Sequence, residues 1–218
     1  MEETFIRGCA GKTAGPFLKE GETVLFFGDS LTAAEDGYVS YMEKYLTPMG
    51  IKVINAGMPG DKTPLALTRI FPDVIEKKPD AVCFYFGVND TVIGLGQWRT
   101  EPIVTPEAFK VNLIWMHHLC KLNGIQKFCF CGLPIAEGRA WEDEGNRSTL
   151  FAVAAREAAV ICNGEFVPFD VVFAAATRKH VAELDDEGLL FTKDGRHWNA
   201  KGCQLAADTI MRSWHLMD

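Results

Sequence analysis

Short apolar runs alternate along the chain with longer segments of helical periodicity. Each run ends in or just before a glycine, or in one case an aspartate, and has the length of a strand buried on both faces. The runs are 24–27, 52–55, 81–86, 127–131 and 165–169, and the helical segments are 37–49, 63–78, 105–123, 146–163 and 199–215. This order predicts an α/β fold in which helices cover both faces of a five-stranded parallel sheet. Such a sheet places its functional site at the carboxyl ends of the strands, where the loops converge.

Nothing along the chain divides it into two large domains. Its 218 residues contain no internal repeat, low-complexity tract or interdomain linker. We therefore expect one domain over residues 21–218, with residues 1–20 as an arm lying on it. Thr105 and Pro106 form a typical helix start. Pro72 is expected to kink or split the helix predicted over 63–78.

Charge and cysteine content narrow the class of protein. Lys and Arg number 22 against 29 Asp and Glu, so the net charge is −7, whereas a nucleic-acid-binding protein needs a basic face. No apolar run is long enough to span a bilayer, and the first residues lack the basic and apolar stretches of a secretory signal. Seven cysteines without a CxxC pair indicate reduced thiols rather than a metal site or disulfides. We therefore expect a cytoplasmic protein that binds neither nucleic acid nor membrane.

Three residues near the predicted site edge could perform acyl transfer together. Ser30 follows the first predicted strand and could act as a nucleophile if a base took its proton. His197 precedes the last helix, and Asp194, three residues earlier, could reach its imidazole through one tight turn. The alternative roles are a helix cap for Ser30 and a turn cap for Asp194. We interpret the three as nucleophile, base and the acid that orients the base.

The same strand ends offer donors for an oxyanion. A tetrahedral intermediate needs two or three fixed donors, and the candidates are the backbone N–H groups of Ser30 and Gly57 and the side-chain amide of Asn89. The alternatives are a turn glycine at position 57 and an Asx-turn at position 89. Asp29 and Asp90 flank these positions, and we expect them to hold the loops through backbone N–H groups.

In order and spacing, these motifs resemble the four sequence blocks of the GDSL or SGNH hydrolases. The blocks are Gly28-Asp29-Ser30-Leu31, Gly57, Gly87-x-Asn89-Asp90 and Asp194-x-x-His197. The resemblance runs from about residue 22 to the C-terminus. It implies a flavodoxin-like three-layer α/β/α sandwich, the triad and oxyanion hole named above, and no metal or organic cofactor. One departure is Trp198, which stands after His197 where many members have proline or another small apolar residue.

The substrate is expected to be a small acyl ester. The layout is most similar to that of intracellular esterases that remove acetyl groups from sugars, which implies an acetylated sugar as substrate. Two loops, 91–104 and 134–147, should frame the pocket, and tryptophan beside charged side chains suits a sugar. The residues expected to contact substrate are Asp29, Trp98, Arg99, Trp141 and Trp198.

Other functions stay open at this point. The resemblance also covers acyl thioesterases and lysophospholipases. A different class would be a non-catalytic flavodoxin-like module that binds flavin or nucleotide, although the first strand is followed by neither GxGxxG nor a P-loop. The arm over residues 1–20 could pack on a neighbouring copy and make a homo-oligomer.

Overall fold

The computed structural model of the chain describes residues 15–94, 100, 101, 103–138, 140 and 147–218. A single five-stranded sheet forms the centre of this part of the chain. The strands are β1 (Thr23–Gly28), β2 (Lys52–Gly57), β3 (Ala81–Tyr85), β4 (Lys127–Cys131) and β5 (Glu165–Val167). All pairings are parallel, in the order β2-β1-β3-β4-β5. The predicted fold class, an α/β sandwich with this sheet, is therefore confirmed.

Seven α-helices lie within the described ranges. They are α1 (Ser30–Ala33), α2 (Tyr38–Leu46), α3 (Thr63–Asp73), α4 (Pro106–Leu122), α5 (Arg147–Cys162), α6 (Phe169–Lys179) and α7 (Ala200–Ser213). Four of the five predicted helices appear within three residues of their predicted bounds, and the fifth, predicted over 63–78, ends early. The start of α4 follows the predicted chemistry, because the Thr105 side chain accepts a hydrogen bond from Ala108 N.

Proline positions explain where two predicted segments end early. The helix predicted over 63–78 stops at Asp73, directly after Pro72, and continues as a separate 3₁₀ turn over Ile75–Lys77. The strand predicted over 165–169 was too long, because β5 ends at Val167 and the chain enters α6 at Phe169. Pro168 between them has no N–H to donate to a strand ladder. The sequence pattern missed both α6 and the short α1.

The core lies on both faces of the sheet, and β1, β3 and β4 are almost completely buried. Residues 15–20 pack against the end of α7, where Phe17 N donates to the Trp214 carbonyl and the two rings stand 5.0 Å apart. The first part of the predicted arm, residues 1–14, lies outside the described residues. All six cysteines in the described ranges are buried free thiols, as expected for small core residues. No helix in these ranges is long and apolar enough to cross a membrane.

Strand order determines where a site can form. The chain moves from β1 outward to β2 and then crosses to β3 on the opposite side of β1. The loops after β1 and β3 therefore diverge and leave a crevice between the carboxyl ends of these strands. Ser30 follows β1 and Asn89 follows β3, so both predicted site residues lie at this switch point.

Candidate active site

Ser30 lies at the first turn after β1. It is the first residue of α1, and Asp29 before it accepts a hydrogen bond from Leu31 N at 3.0 Å. Thr32 N and Ala33 N both donate to the Asp29 carbonyl, which closes this turn tightly. The Ser30 hydroxyl is therefore held on a short, tightly closed turn in which Asp29 accepts the N–H groups of the three residues that follow Ser30.

Three predicted residues come together as a hydrogen-bonded chain. Ser30 Oγ lies 3.0 Å from His197 Nε2, and His197 Nδ1 lies 2.7 Å from Asp194 Oδ2. Ser30 and His197 are 167 residues apart in sequence, so only the fold can bring them together. The contact directions match a serine that is deprotonated by an imidazole whose other nitrogen faces a carboxylate.

Asp194 is held in place by the turn that it begins. Its Oδ1 accepts the backbone N–H groups of Arg196 at 3.0 Å and His197 at 2.7 Å, which leaves Oδ2 for the imidazole. Partial burial acts to raise the pKa of Asp194, but these N–H groups and the imidazole outweigh it and hold the pKa below its ordinary value of 3.8. The carboxylate is consequently ionised at neutral pH, as an orienting partner for histidine must be.

Glu137 fixes the segment that leads into this turn. Its carboxylate accepts backbone N–H groups of Leu190, Phe191 and Thr192 and the Thr192 hydroxyl, at 2.6–3.1 Å. Its own N–H donates to the Gly195 carbonyl at 2.9 Å. Sequence reasoning missed this residue, since nothing local relates position 137 to a loop more than 50 residues away.

Asn89 and Asp90 anchor the loop after β3. Asn89 is buried, and its Nδ2 donates to the Asp61 carbonyl at 2.8 Å. Asp90 Oδ1 accepts both the N–H and the hydroxyl of Thr63, at 3.0 and 2.5 Å. This bears out the expectation that Asp90 holds a loop. Burial raises the pKa of Asp90 to about 6, although the Thr63 hydrogen bonds oppose that rise.

Gly57, a predicted oxyanion donor, lies where α1 approaches β2 closely. Its N–H donates to Asn55 Oδ1 at 2.9 Å, so this donor is already engaged within its own loop. A Cβ atom at Gly57 would stand 2.2 Å from Ala33 N, so the glycine is required by the close approach of α1 to β2. The same loop has a second glycine, Gly60, with a φ of +81°, directly before the Asp61 carbonyl that anchors Asn89. In the sequence, this second glycine of the loop is visible only as the pair Gly60-Asp61.

Asp29 is wrong as a substrate contact. Its side chain is fully buried, and burial is the main reason that its pKa rises to about 7. The hydrogen bond from Leu31 N lowers the pKa, whereas repulsion from Asp90 and Asp61 raises it further. Its Oδ2 has no hydrogen-bond partner among the described residues. The accompanying expectation, that Asp29 holds its loop through a backbone N–H group, is confirmed.

Arg69 ties the ends of β1 and β2 together from α3. Its guanidinium donates to the carbonyls of Gly28 and Ala56 at 3.0 and 2.9 Å, and to the carboxylates of Asp61 and Asp73. It also stacks over the Phe27 ring, 4.3 Å from its centroid. The planar guanidinium can donate to several acceptors at once, so its mostly buried positive charge is paired with carboxylates and carbonyls. Sequence reasoning missed Arg69 because its partners come from four separate segments.

Two cavities lie on either side of the Asp194 turn. The smaller, about 310 Å³, is bordered by Ser30, His197 and Trp198. The larger, about 560 Å³, is mostly apolar, and Pro134 to Gly138 of the second predicted loop border it, whereas the cavity at Ser30 has no described residue of that loop in its lining. Trp198 itself is almost fully buried, at 4% exposure. The remaining predicted substrate contacts, Trp98, Arg99 and Trp141, lie outside the described residues.

One group of potential metal ligands occurs among the described residues. The thiols of Cys83, Cys129 and Cys131 lie within 4.8 Å of one another, completely buried between neighbouring strands. Trp214 Nε1 donates to Cys129 Sγ at 3.3 Å. None of the three borders the cavity that contains Ser30. Parallel pairing of β3 with β4 places these small side chains side by side, and they pack there as core residues.

Comparison with known proteins identifies the family and relatives of similar fold. The sequence model of the GDSL-like lipase/acylhydrolase family matches residues 26–205. A solved structure of an acetyl xylan esterase, AlAXEase, superposes with a TM-score of 0.75 at 26% identity and covers 88% of this chain and 98% of its own.

Two curated proteins are also similar in sequence. The chain is 30% identical over 135 residues to the uncharacterized lipoprotein YqeF of Bacillus subtilis (strain 168), which is 58% of this chain and 54% of that protein. It is 34% identical over 91 residues to an acetylxylan esterase of Geobacillus stearothermophilus, 34% of this chain and 42% of that enzyme. The chain thus spans about half the length of the curated relatives that it matches.

Proposed function

The chain belongs to the GDSL-like lipase/acylhydrolase family, and from that premise we propose that it is a serine esterase that removes small acyl groups through an acyl-enzyme intermediate. The observation that carries the proposal is the hydrogen-bonded chain from Ser30 through His197 to Asp194, at 3.0 and 2.7 Å. A serine hydroxyl needs a positioned base to become nucleophilic, and the base needs a fixed tautomer. Both requirements are met by side chains at the switch point of the sheet.

The first half of the proposed reaction forms the acyl-enzyme. Ser30 Oγ attacks the ester carbonyl carbon while its proton passes to His197 Nε2. The carbonyl π electrons move onto oxygen, and the resulting oxyanion then re-forms the carbonyl as the bond to the leaving alkoxide breaks. That alkoxide takes the proton from His197 Nε2 and departs as an alcohol. Asp194 stabilises the imidazolium throughout and keeps its own charge.

The second half reverses these steps with water. Water gives a proton to His197 Nε2 as its oxygen attacks the acyl carbon, and the bond to Ser30 Oγ breaks with return of the proton to serine. The products are the free carboxylic acid and the unmodified enzyme. No redox step or bound cofactor is required by this sequence of proton transfers.

For the oxyanion we propose the Ser30 N–H, the Gly57 N–H and the Asn89 side-chain amide as donors, with the Gly57 N–H leaving Asn55 Oδ1 when the oxyanion forms. Asn89 has two amide N–H donors, and its bond to the Asp61 carbonyl uses one of them. That bond also fixes the plane of the amide, so the second donor has one direction.

We further propose acetylated carbohydrate as the substrate and the cytoplasm as the location. The similarity to acetylxylan esterases and the small cavity at Ser30 support an acetyl group. The buried, unpaired cysteines support a reducing compartment. A homo-oligomer formed through residues 1–20 stays part of the proposal; within that segment, Phe17 and Leu18 are buried against the domain.

Hydrolysis of p-nitrophenyl acetate, butyrate and octanoate, with peracetylated xylose alongside, tests the proposed function. Ser30→Ala should abolish ester cleavage, because His197 would have no hydroxyl to deprotonate. Ser40→Ala is the matched control, since its hydroxyl only donates to the Gly37 carbonyl on α2. Cleavage retained in Ser30→Ala would refute the assignment. Ser30-dependent cleavage that prefers octanoate would favour a thioesterase or lysophospholipase instead.

A further inference from the structure

The turn that contains the triad acid and base borders two cavities of different size. On one side is the cavity of about 310 Å³ that Ser30, Asp194 and His197 border. On the other side is the cavity of about 560 Å³, lined mainly by apolar side chains that include Val88, Leu133 and Leu184, with Glu137, Arg178 and Arg196 among its polar residues. The larger cavity has the size and lining of a ligand pocket. It has no assigned occupant in the mechanism given above.

Trp198 is the one described residue that borders both cavities. Its indole stacks on Tyr85 and Phe173, with ring centroids 5.2 and 5.1 Å away, and both of these residues line the larger cavity. On other sides, the rings of Tyr38 and Phe169 meet it edge-on at 5.7 and 5.4 Å. The indole is therefore clamped between aromatic rings and cannot swing aside without disturbing them.

We propose that Trp198 is the partition that limits the acyl group on Ser30 to short chains, and that the apolar cavity behind it is a binding site for a longer aliphatic acyl chain. The inference rests on the proposed esterase function and adds the residue that sets its acyl length. An acyl chain leaving the Ser30 side in this direction meets the indole first. Removing the indole joins the two cavities and gives the acyl chain access to the mainly apolar lining of the larger one.

The size of the expected effect follows from the chain that would be buried. Each methylene transferred from water to an apolar site changes an equilibrium or a rate by about fourfold. Burial of only two to three methylenes of an octanoyl group should therefore raise kcat/KM for octanoate relative to acetate by about 15- to 60-fold.

The test measures the ratio of kcat/KM for p-nitrophenyl octanoate to that for the acetate. Wild type, Trp198→Phe and Trp198→Leu are compared, with Trp214→Phe as the control for loosening of the core. Trp214 is also fully buried but borders neither cavity. The ratio should rise in the order wild type, Phe, Leu, and stay at the wild-type value in Trp214→Phe. Far-ultraviolet circular dichroism and thermal unfolding identify the folded variants.

Each outcome decides between specific alternatives. An unchanged ratio in a folded Trp198 variant, or an equal rise in Trp214→Phe, overturns the partition. If Trp198→Leu does not fold, the conservative Phe variant and the wild-type profile still decide, because wild-type protein that cleaves octanoate as well as acetate has no partition. Cleavage that survives Ser30→Ala refutes the esterase itself, whereas Ser30-dependent acetate cleavage without a change of ratio refutes only the role of Trp198.

Discussion

Asp29 stands beside the proposed nucleophile with a fully buried carboxyl group, and its replacement by asparagine should stabilise the protein at neutral pH. Asparagine keeps an oxygen that can accept the Leu31 N–H bond, but it has no charge. Burial raises the pKa of Asp29 to about 7 in the folded protein, and Asp90 and Asp61 contribute by repulsion. The folded state therefore holds a proton on Asp29 at pH values where the unfolded chain has released it.

The magnitude follows from the two pKa values. A pKa of about 7 in the folded protein against 3.8 in the unfolded chain corresponds to about 4 kcal/mol in total. In the window between these values the unfolded chain binds fewer protons than the folded protein, so stability falls as pH rises and stays low above pH 7. Between pH 5 and pH 8, this single group should lower the free energy of unfolding by about 2.5 kcal/mol.

Urea unfolding of wild type and Asp29→Asn at pH 5, 6, 7 and 8 measures this effect. The stability of the variant relative to wild type should increase across the series by about 2.5 kcal/mol. The control is Asp186→Asn, which removes the same charge from an exposed position and should leave the pH dependence as in wild type. Ser30 is unchanged in both variants, so the comparison concerns the electrostatics of the buried carboxyl alone.

A difference between Asp29→Asn and wild type that is constant from pH 5 to pH 8 would refute this reasoning. It would mean that Asp29 is ionised in the folded protein as readily as in the unfolded chain. The desolvation that we derive from its burial would then be compensated by groups that the structure does not place beside it.

Three further predictions concern residues that hold the candidate site together. Asp194→Asn should lower kcat by about 10³–10⁴-fold, since the amide would donate N–H to His197 Nδ1 and favour the tautomer whose Nε2 cannot accept the serine proton. A loss of kcat below tenfold in ester hydrolysis would contradict this. Glu137→Ala should lower the free energy of unfolding by about 2–3 kcal/mol and reduce kcat more than it raises KM, because the loop before the triad turn loses its anchor. Urea unfolding and steady-state kinetics check both effects, and unaltered kinetics would show that the loop keeps its shape without Glu137. Arg69→Met should lower the free energy of unfolding, measured in urea, by about 2–4 kcal/mol, because it leaves two strand-end carbonyls and a carboxylate unpaired. The exposed control Arg178→Met should lower it by less than about 0.5 kcal/mol, and equal losses in the two variants would exclude this role for Arg69.

Local sequence signals predicted the site residues where the chemistry is itself local. The contact of Asp194 with His197 needs only a tight turn, and three residues of spacing were enough to predict it. The helix start at Thr105 likewise follows from side-chain and backbone groups within four residues. The buried strands were recognisable because a strand covered on both faces must be apolar along its length.

Gly57 shows where such reasoning leaves alternatives open. A glycine after a strand is compatible with a donor for an oxyanion, with a turn and with close packing, and the sequence contains no signal that separates these roles. The decision depends on the position of Ala33 in α1 and on the side chain of Asn55. The predicted end of β5 was wrong for a related reason, since Phe169 fits both a buried strand and the buried face of a helix.

By itself, the sequence of this protein determined the five strands and five of the seven helices in the described residues, the parallel class of the sheet and the chemical identity of the serine, histidine and aspartate at its edge. These properties depend on periodicity and on neighbours within a few residues. Tertiary structure alone decided that Ser30 meets His197, that Glu137 and Arg69 hold the loops around them, and that Trp198 stands between two cavities. Those contacts join segments far apart in the chain, and their geometry exists only once the core around them has packed.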